Sequence, residues 1–330
     1  MDRIAVIGAG SWGTAAASLA ARQHRVRLWA RRPALARAIN VSCENPDYLP
    51  GHQLPQGLEA TSDLEEAVEG AGMVAIAVPS HGFAEVLAHI EVGNDVPIIS
   101  LTKGIEVETL RRMTEVITDL RADHDSDRIG VLTGPNLAAE VMAGSPTAAV
   151  VAIKNPEVAS QVQATFMGPT FRVYTNDDVV GCELAGSLKN VMAIAAGMST
   201  GLGFGDNTRA ALITRALAEL TRLGVALGGA PATFSGLAGM GDLIATCTSP
   251  HSRNHRVGLE LAAGKKLDQI TGEMSMIAEG VKTTKAVLEL ADRAGVEMPI
   301  AAQVGNVLYA GHHPRQAVMS LMTRASKAEV

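Results

Sequence analysis

Residues 3–32 read RIAVIGAGSWGTAAASLAARQHRVRLWARR, and this stretch decides the architecture. An apolar run at residues 4–7 meets a glycine pattern, Gly8, Gly10 and Gly13, and an alanine-rich segment then leads to a second strand-like stretch, RVRLWA, at 25–30. A lone GxGxxG is weak evidence. Here it follows a strand and opens a helix at the start of a βαβ unit, the context in which such glycines serve a dinucleotide. The first permits the tight turn, the second lets the pyrophosphate approach the backbone, and the third lets helix and strand pack closely. Ser11 and Trp12 supply N–H groups at the helix N-terminus, where unpaired donors and the dipole favour a phosphate. A purely structural glycine turn is the competing reading. After the second strand, chains specific for NAD usually carry Asp or Glu to bond the ribose 2′-hydroxyl, whereas Arg accommodates a 2′-phosphate. This chain carries Arg31 and Arg32, so NADP is the expected preference, with NAD also accepted. Two solvated loop arginines would look the same.

Outward from this unit, strand-like runs alternate with helical patterns: MVAIAV (73–78), PIISLT (97–102) and IGVLTG (129–134), with helices over 13–22 and 63–69. The alternation predicts right-handed crossovers and a parallel sheet. TAAVVAI (147–153) and FRVYTN (171–176) continue the strands. From about residue 178 the chain turns to Ala/Leu-rich helical stretches, as at 178–198, 208–223 and 283–293, with no convincing strand. The expected fold is α/β, a Rossmann-type doubly wound sheet over 1–180 that binds a dinucleotide. A second all-α domain over 181–330 would carry substrate and catalysis.

A chain of 330 residues exceeds the ~250–300 at which single cores stop growing, which also favours two domains. The net charge of -6 argues against a nucleic-acid surface but leaves room for a local basic pocket. Cys43, Cys182 and Cys247 show neither metal-ligand nor CxxC spacing, so no metal site and a reduced, cytoplasmic setting are expected. The first apolar run is too short for a signal-peptide core, and no run reads as the ~18–20 apolar residues of a membrane span.

Three stretches concentrate polar residues between apolar ones: SLTKGIE (100–106), LTGPNLAAE (132–140) and ELAGSLKNVMAIAAG (183–197). The first two follow strands, and ligands bind open α/β sheets at strand carboxyl ends, so Lys103, Gly134 and Asn136 are placed at the mouth of a site. Lys189 has Ala185, Gly186, Met192 and Ala193 as helical neighbours, a small and largely apolar face. A lysine there is costly unless it is used; desolvation disfavours its charged form and a partner carboxylate would counteract that, leaving a group that could donate or accept a proton. A lysine that snorkels to the surface is the alternative. Asn190 adds an amide with donor and acceptor capacity. In GMGDLIATCTSPHSRNHRVG (239–258), Asp242 and Thr246 stand four residues apart, and Ser252, Arg253 and Asn254 open a helix. Amides, a hydroxyl and a guanidinium there suit a phosphate, although an N-cap beside a solvated Arg is equally compatible.

Taken together, GAGSWGTA, NPDYLPGHQLP, LTKGIE, TGPNLAAE, ELAGSLKNVMAIAAG, GLAGMGDLIATCTSPHSRNHRVG, AEGVKTT and LMTRASKAE resemble the bacterial-type NAD(P)-dependent sn-glycerol-3-phosphate dehydrogenases, in order and over nearly the whole chain. The resemblance implies Lys189 as the catalytic proton donor or acceptor. It implies substrate contacts from Lys103, Gly134, Asn136, Asp242, Ser252, Arg253 and Asn254. Nucleotide contacts from Ser11, Trp12, Arg31, Arg32, Lys103, Ala138, Arg253, Ile277 and Glu279 are carried over in the same way. The chain departs from the family at Asn136, where Ser or Thr is common, so the side-chain role there stays open. The implied role is supply of glycerol 3-phosphate for phospholipid synthesis, with a small phosphorylated triose as substrate, no nucleic acid, no membrane span, and a homodimer left open.

On this reading hydride passes to the ketone of dihydroxyacetone phosphate while Lys189 protonates the alkoxide. Asp242 and Lys103 are counted with Lys189 in the catalytic set; Asp242 holds the ammonium, and Arg253 with Asn254 anchors the phosphate. The rivals are a β-hydroxy-acid dehydrogenase of the same architecture, which needs a carboxylate clamp, and a non-catalytic NADP(H)-sensing module.

Overall fold

The computed structural model describes residues 2–274, 278–326 and 328. Two compact units divide the chain, Met1–Glu106 with Arg111–Glu183, and Val107–Leu110 with Leu184–Val330.

The first unit holds strands β1 (Arg3–Ile7), β2 (Arg25–Trp29), β3 (Glu44–Asn45), β4 (Leu49–Gln53), β5 (Leu58–Thr61), β6 (Met73–Ile76), β7 (Ile98–Ser100), β8 (Ile129–Thr133), β9 (Thr147–Ile153) and β10 (Phe171–Asn176). Eight of them form one sheet in the order β10-β9-β8-β7-β6-β1-β2-β5, while β3 and β4 make a separate hairpin. The apolar runs are continuous because both faces of the sheet are covered. Along β1, Ile4 and Val6 enter one core and Ala5 and Ile7 the other. Met73 and Ala75 divide from Val74 and Ile76 in β6 in the same way. Each fully buried branched side chain contributes on the order of 1.5–3 kcal/mol, so the period-two alternation leaves little freedom for a register slip.

Two features differ from the sequence expectation. The sheet is not wholly parallel, because β8 and β9 run antiparallel, with Leu132 opposite Val151. Their connection holds the short helix Ala138–Met142 and a left-handed turn at Gly144, φ +77. The hairpin and the edge strand β5 were also not expected. Strands of two to five residues with exposed positions, such as LEAT in β5, carry too few apolar residues to register as a run.

The second unit is helical among its described residues, with Asp206–Ala226 and Glu279–Arg293 starting earlier than the apolar periodicity indicates. The helix Val179–Gly201 corrects the expectation that no run could span a membrane. An 18-residue window in it has mean hydropathy 1.3, yet 94% of that window is buried inside the protein. Its burial is that of a core helix whose polar members face specific partners.

One such core group lies on Asp206–Ala226. Glu219 is buried and accepts from the backbone N–H of Ile300 at 2.9 Å, capping the helix Pro299–Ala310. Burial pushes its carboxyl up to about 7, against the opposing backbone donors of Ile300 and Ala301 and the charges of Arg222 and Arg215. The folded chain therefore keeps this proton where the unfolded chain releases it. The associated stability is fully present below the ordinary 4.5 and is lost as pH rises towards about 7. Glu219→Gln should flatten the pH dependence of the melting temperature across that window. A variant whose melting temperature tracks wild type at a constant offset would show that Glu219 does not titrate there.

Candidate active site

The glycine loop lies between β1 and β6, where the strand order turns back on itself. In open α/β sheets this switch point is the ligand crevice. Each glycine answers a different need. Gly8 has φ +118, and a Cβ there would stand 2.7 Å from the Ala77 carbonyl oxygen. A Cβ on Gly13 would stand 1.9 Å from the Gly8 oxygen, so the helix packs directly on the loop. At Gly10 a Cβ would meet nothing within 4 Å. Two of the glycines are required by the protein's own packing, and the third lies beside open space of the kind a ligand's phosphates need. The helix Ser11–Ala20 has neither a side-chain cap nor an acidic residue in its first turn, so its N-terminal donors suit an anion. These residues fit a dinucleotide.

The loop is braced by Asn45 and Tyr48, for which the sequence alone suggests no role. Asn45 is fully buried, and its Nδ2 donates to the Ala9 carbonyl at 3.0 Å and to Thr14 Oγ1 at 2.8 Å. Its Oδ1 accepts from the Tyr48 N–H at 3.2 Å, and Ser11 Oγ donates to the Tyr48 carbonyl at 3.0 Å. The β3–β4 turn is thus strapped to the helix start. Trp12 packs on the core 6.3 Å from Phe171, with its indole N–H buried and unpartnered. Arg31 and Arg32 follow β2. Both are exposed, and Arg32 forms an ion pair with Asp47 of the strapped turn.

At the carboxyl ends of β7 and β8, Lys103 Nζ donates to the Gly134 carbonyl at 2.9 Å and to Asn136 Oδ1 at 2.7 Å. An ammonium has only donors, so this contact orients the Asn136 amide. Its Nδ2 is buried without a partner, as is Thr133 Oγ1. Asn136 is 7% exposed, and a donor held dry and unused is costly unless a ligand takes it. Ala138 opens the next short helix.

In the second unit Lys189 and Asp242 are 4% and 2% exposed, and Lys189 Nζ lies 3.0 Å from Asp242 Oδ1. The ammonium also donates to Thr246 Oγ1 at 2.5 Å, and Thr246 donates to Asp242 Oδ1 at 3.2 Å. The spacing of four places both partners on one face of the helix Asp242–Thr248, which a π-turn at Leu237–Gly241 feeds. Such turns recur at functional sites. Neighbouring Cys247 is no nucleophile, since burial pushes its thiol up to about 12.

The helix Arg253–Ala262 comes close enough to Val179–Gly201 that a Cβ on Gly258 would stand 2.1 Å from the Ile194 carbonyl oxygen. That approach lets Asn254 Nδ2 donate to Asn190 Oδ1 at 2.9 Å, while Asn254 Oδ1 accepts from the Gly280 N–H at 3.0 Å. The Asn254 side chain is therefore engaged on two neighbours. Ser252 caps its helix, its Oγ accepting from the His255 N–H at 3.3 Å. Arg253 is exposed at a helix start that has no acidic residue in its first turn, within electrostatic reach of Glu279. Ile277 lies outside the described residues.

A doubly wound sheet with a phosphate-ready glycine loop, and a helical unit with a buried lysine–carboxylate pair, define a nicotinamide-nucleotide oxidoreductase. Comparison with known proteins narrows the class. Residues 3–159 match the family model for the NAD-dependent glycerol-3-phosphate dehydrogenase N-terminus, and residues 178–319 match the model for its C-terminus. The chain is 53% identical to glycerol-3-phosphate dehydrogenase (NAD(P)+) 2 of Sphingopyxis alaskensis, over 92% of this chain and 91% of that one. It is 50% identical to glycerol-3-phosphate dehydrogenase (NAD(P)+) of Streptomyces coelicolor, over 99% and 98%. The crystal structure of glycerol-3-phosphate dehydrogenase from Coxiella burnetii superposes with a TM-score of 0.92 at 40% identity, covering 98% of this chain and 99% of that chain. The chain belongs to the NAD-dependent glycerol-3-phosphate dehydrogenase family.

Proposed function

We propose that this chain catalyses the reversible, NAD(P)H-dependent reduction of dihydroxyacetone phosphate to sn-glycerol 3-phosphate, the precursor for phospholipid synthesis. The observation that carries the mechanism is the buried Lys189–Asp242–Thr246 triangle in a member of this family. When bound, the nicotinamide supplies the hydride that reaches the ketone carbon. Lys189 Nζ gives a proton to the developing alkoxide oxygen and in the reverse direction receives the proton of the secondary hydroxyl. Asp242 and Thr246 hold the ammonium in one orientation, so no reorganisation is needed as charge develops.

Residues 1–180 are assigned to the dinucleotide, through Gly8, Gly10, Ser11, Trp12, Gly13, Arg31 and Arg32, with Ala138, Lys103, Arg253, Ile277 and Glu279 as further contacts. NADP is the preferred form on this assignment. Residues 181–330 are assigned to catalysis and to the phosphate, which Arg253 and the amides at the start of its helix attract. Lys103, Gly134 and Asn136 are assigned to the substrate as well, and the dry Asn136 Nδ2 supports that role. Asn190, Ser252 and Asn254 complete the substrate set. The geometry gives Asn254 a second task, since its side chain orients the Asn190 amide. Three unpaired cysteines accord with a reducing, cytoplasmic setting.

The test is consumption of NADPH with dihydroxyacetone phosphate beside a carboxylate-bearing ketone. Turnover is expected with the phosphate ester alone. Turnover with the carboxylate alone would overturn the assignment in favour of a β-hydroxy-acid dehydrogenase.

A further inference from the structure

The end of β2 carries two arginines and no acidic residue, an arrangement suited to a 2′-phosphate. The structure returns a carboxylate to that place from elsewhere in the chain. Asp47 occupies the β3–β4 turn and pairs with Arg32, 15 residues away in sequence. The turn is not free to drift. Asn45 ties it to Ala9 and Thr14, and Ser11 ties the Tyr48 carbonyl to the first residue of the phosphate-ready helix. Tyr48 also packs against the core. Asp47 is thereby held in register with the glycine loop.

The Arg32 and Asp47 side chains are 54% and 44% exposed. An ion pair so exposed is weak and readily exchanged. A phosphate dianion arriving beside Arg31 and Arg32 offers a better partner than a single carboxylate, and the guanidinium can leave Asp47 for it. A ribose with a free 2′-hydroxyl offers no anion. Arg32 then stays on Asp47, and the carboxylate can accept from the hydroxyl.

We propose that Asp47 is a cofactor-selecting residue, accepting from the ribose 2′-hydroxyl of NAD and competing with the 2′-phosphate of NADP for Arg32. This deepens the proposed function and rests on its assignment of the glycine loop to a dinucleotide, but not on the identity of the ketone. One exchangeable pair thus serves both cofactors. The carboxylate supports the unphosphorylated form and moderates the preference that the two arginines alone would impose.

The test uses the full chain and calorimetric titration with 5′-AMP and 2′,5′-ADP, which differ at the 2′ position and need no hydride transfer. Asp47→Asn should weaken 5′-AMP binding and tighten 2′,5′-ADP binding, each by ~3–10-fold, as befits an exposed charge. Asp47→Glu keeps the charge and should hold the ratio of the two affinities within about threefold of wild type. Arg32→Met should weaken 2′,5′-ADP by about tenfold, the scale of one lost charge-assisted contact, and leave 5′-AMP nearly unchanged. Parallel changes for the two ligands in Asp47→Asn, or no change in either, would overturn the proposal. Parallel losses with an unaltered melting temperature would make Asp47 a support of the turn and nothing more. Because no ketone is present, failure of the dihydroxyacetone phosphate assay would leave this result standing, and the reverse also holds.

Discussion

Lys189→Met is expected to lose turnover by at least the ~10²–10⁴-fold that positioned proton transfer contributes, while its affinity for NADPH stays close to wild type. The two halves of this expectation come from different parts of the chain. The glycine loop and its brace belong to the first compact unit, and Lys189 with its partners belongs to the second. Methionine matches the stem of lysine in length and suits a position among Ala185, Gly186, Met192 and Ala193, all of which are buried or nearly so. It supplies neither a proton nor a charge. Steady-state turnover read beside NADPH fluorescence titration separates the two effects. If turnover is largely kept, another group carries the proton, with Lys103 the first to examine. A parallel loss of NADPH affinity would mean that the lysine serves the nucleotide.

A second large effect concerns stability. Lys189 and Asp242 are both almost fully buried, so each neutralises a charge that the interior would otherwise have to hold alone. Removing one partner of such a pair typically costs about 3–5 kcal/mol, whereas replacing both by apolar groups of similar volume is often neutral. Asp242→Leu should therefore be strongly destabilising by urea unfolding. Lys189→Met should also be destabilising, tempered by the hydrogen bond that Thr246 still donates to Asp242. The double variant should recover most of the loss. A double variant whose destabilisation equals the sum of the two singles would show that the groups do not interact in solution.

Much of this arrangement is legible in the sequence because its causes are local. Buried parallel strands must be apolar on both faces, so β1, β6 and β8 appear as unbroken runs. The glycine spacing carries its own reasons, and the small residues around Lys189 mark a lysine that cannot be solvated. Asp242 and Thr246 share one helical face through their four-residue spacing alone. What stays hidden depends on distant contacts. Asn254 orients Asn190 across 64 residues of sequence, through a helix approach that Gly258 permits. Read alone, Asn254 is only another polar group at a helix start. Asp47 is hidden in the same way, because its significance lies in Arg32, and a short hairpin with half-exposed strands leaves no apolar pattern to reveal the link. The antiparallel β9 is apolar in composition like the parallel strands of the sheet, so its direction leaves no mark in the residues themselves.

Delivery of the proton by Lys189 in the reduction of dihydroxyacetone phosphate is tested most directly by a single turnover. Protein in excess over NADPH is mixed rapidly with dihydroxyacetone phosphate, and the near-ultraviolet absorbance of the reduced nicotinamide is followed for wild type and Lys189→Met at saturating ketone. A rapid decay for wild type and a nearly flat trace for the variant, with both proteins binding NADPH, is the predicted result. Decays of equal rate in the two proteins would contradict it.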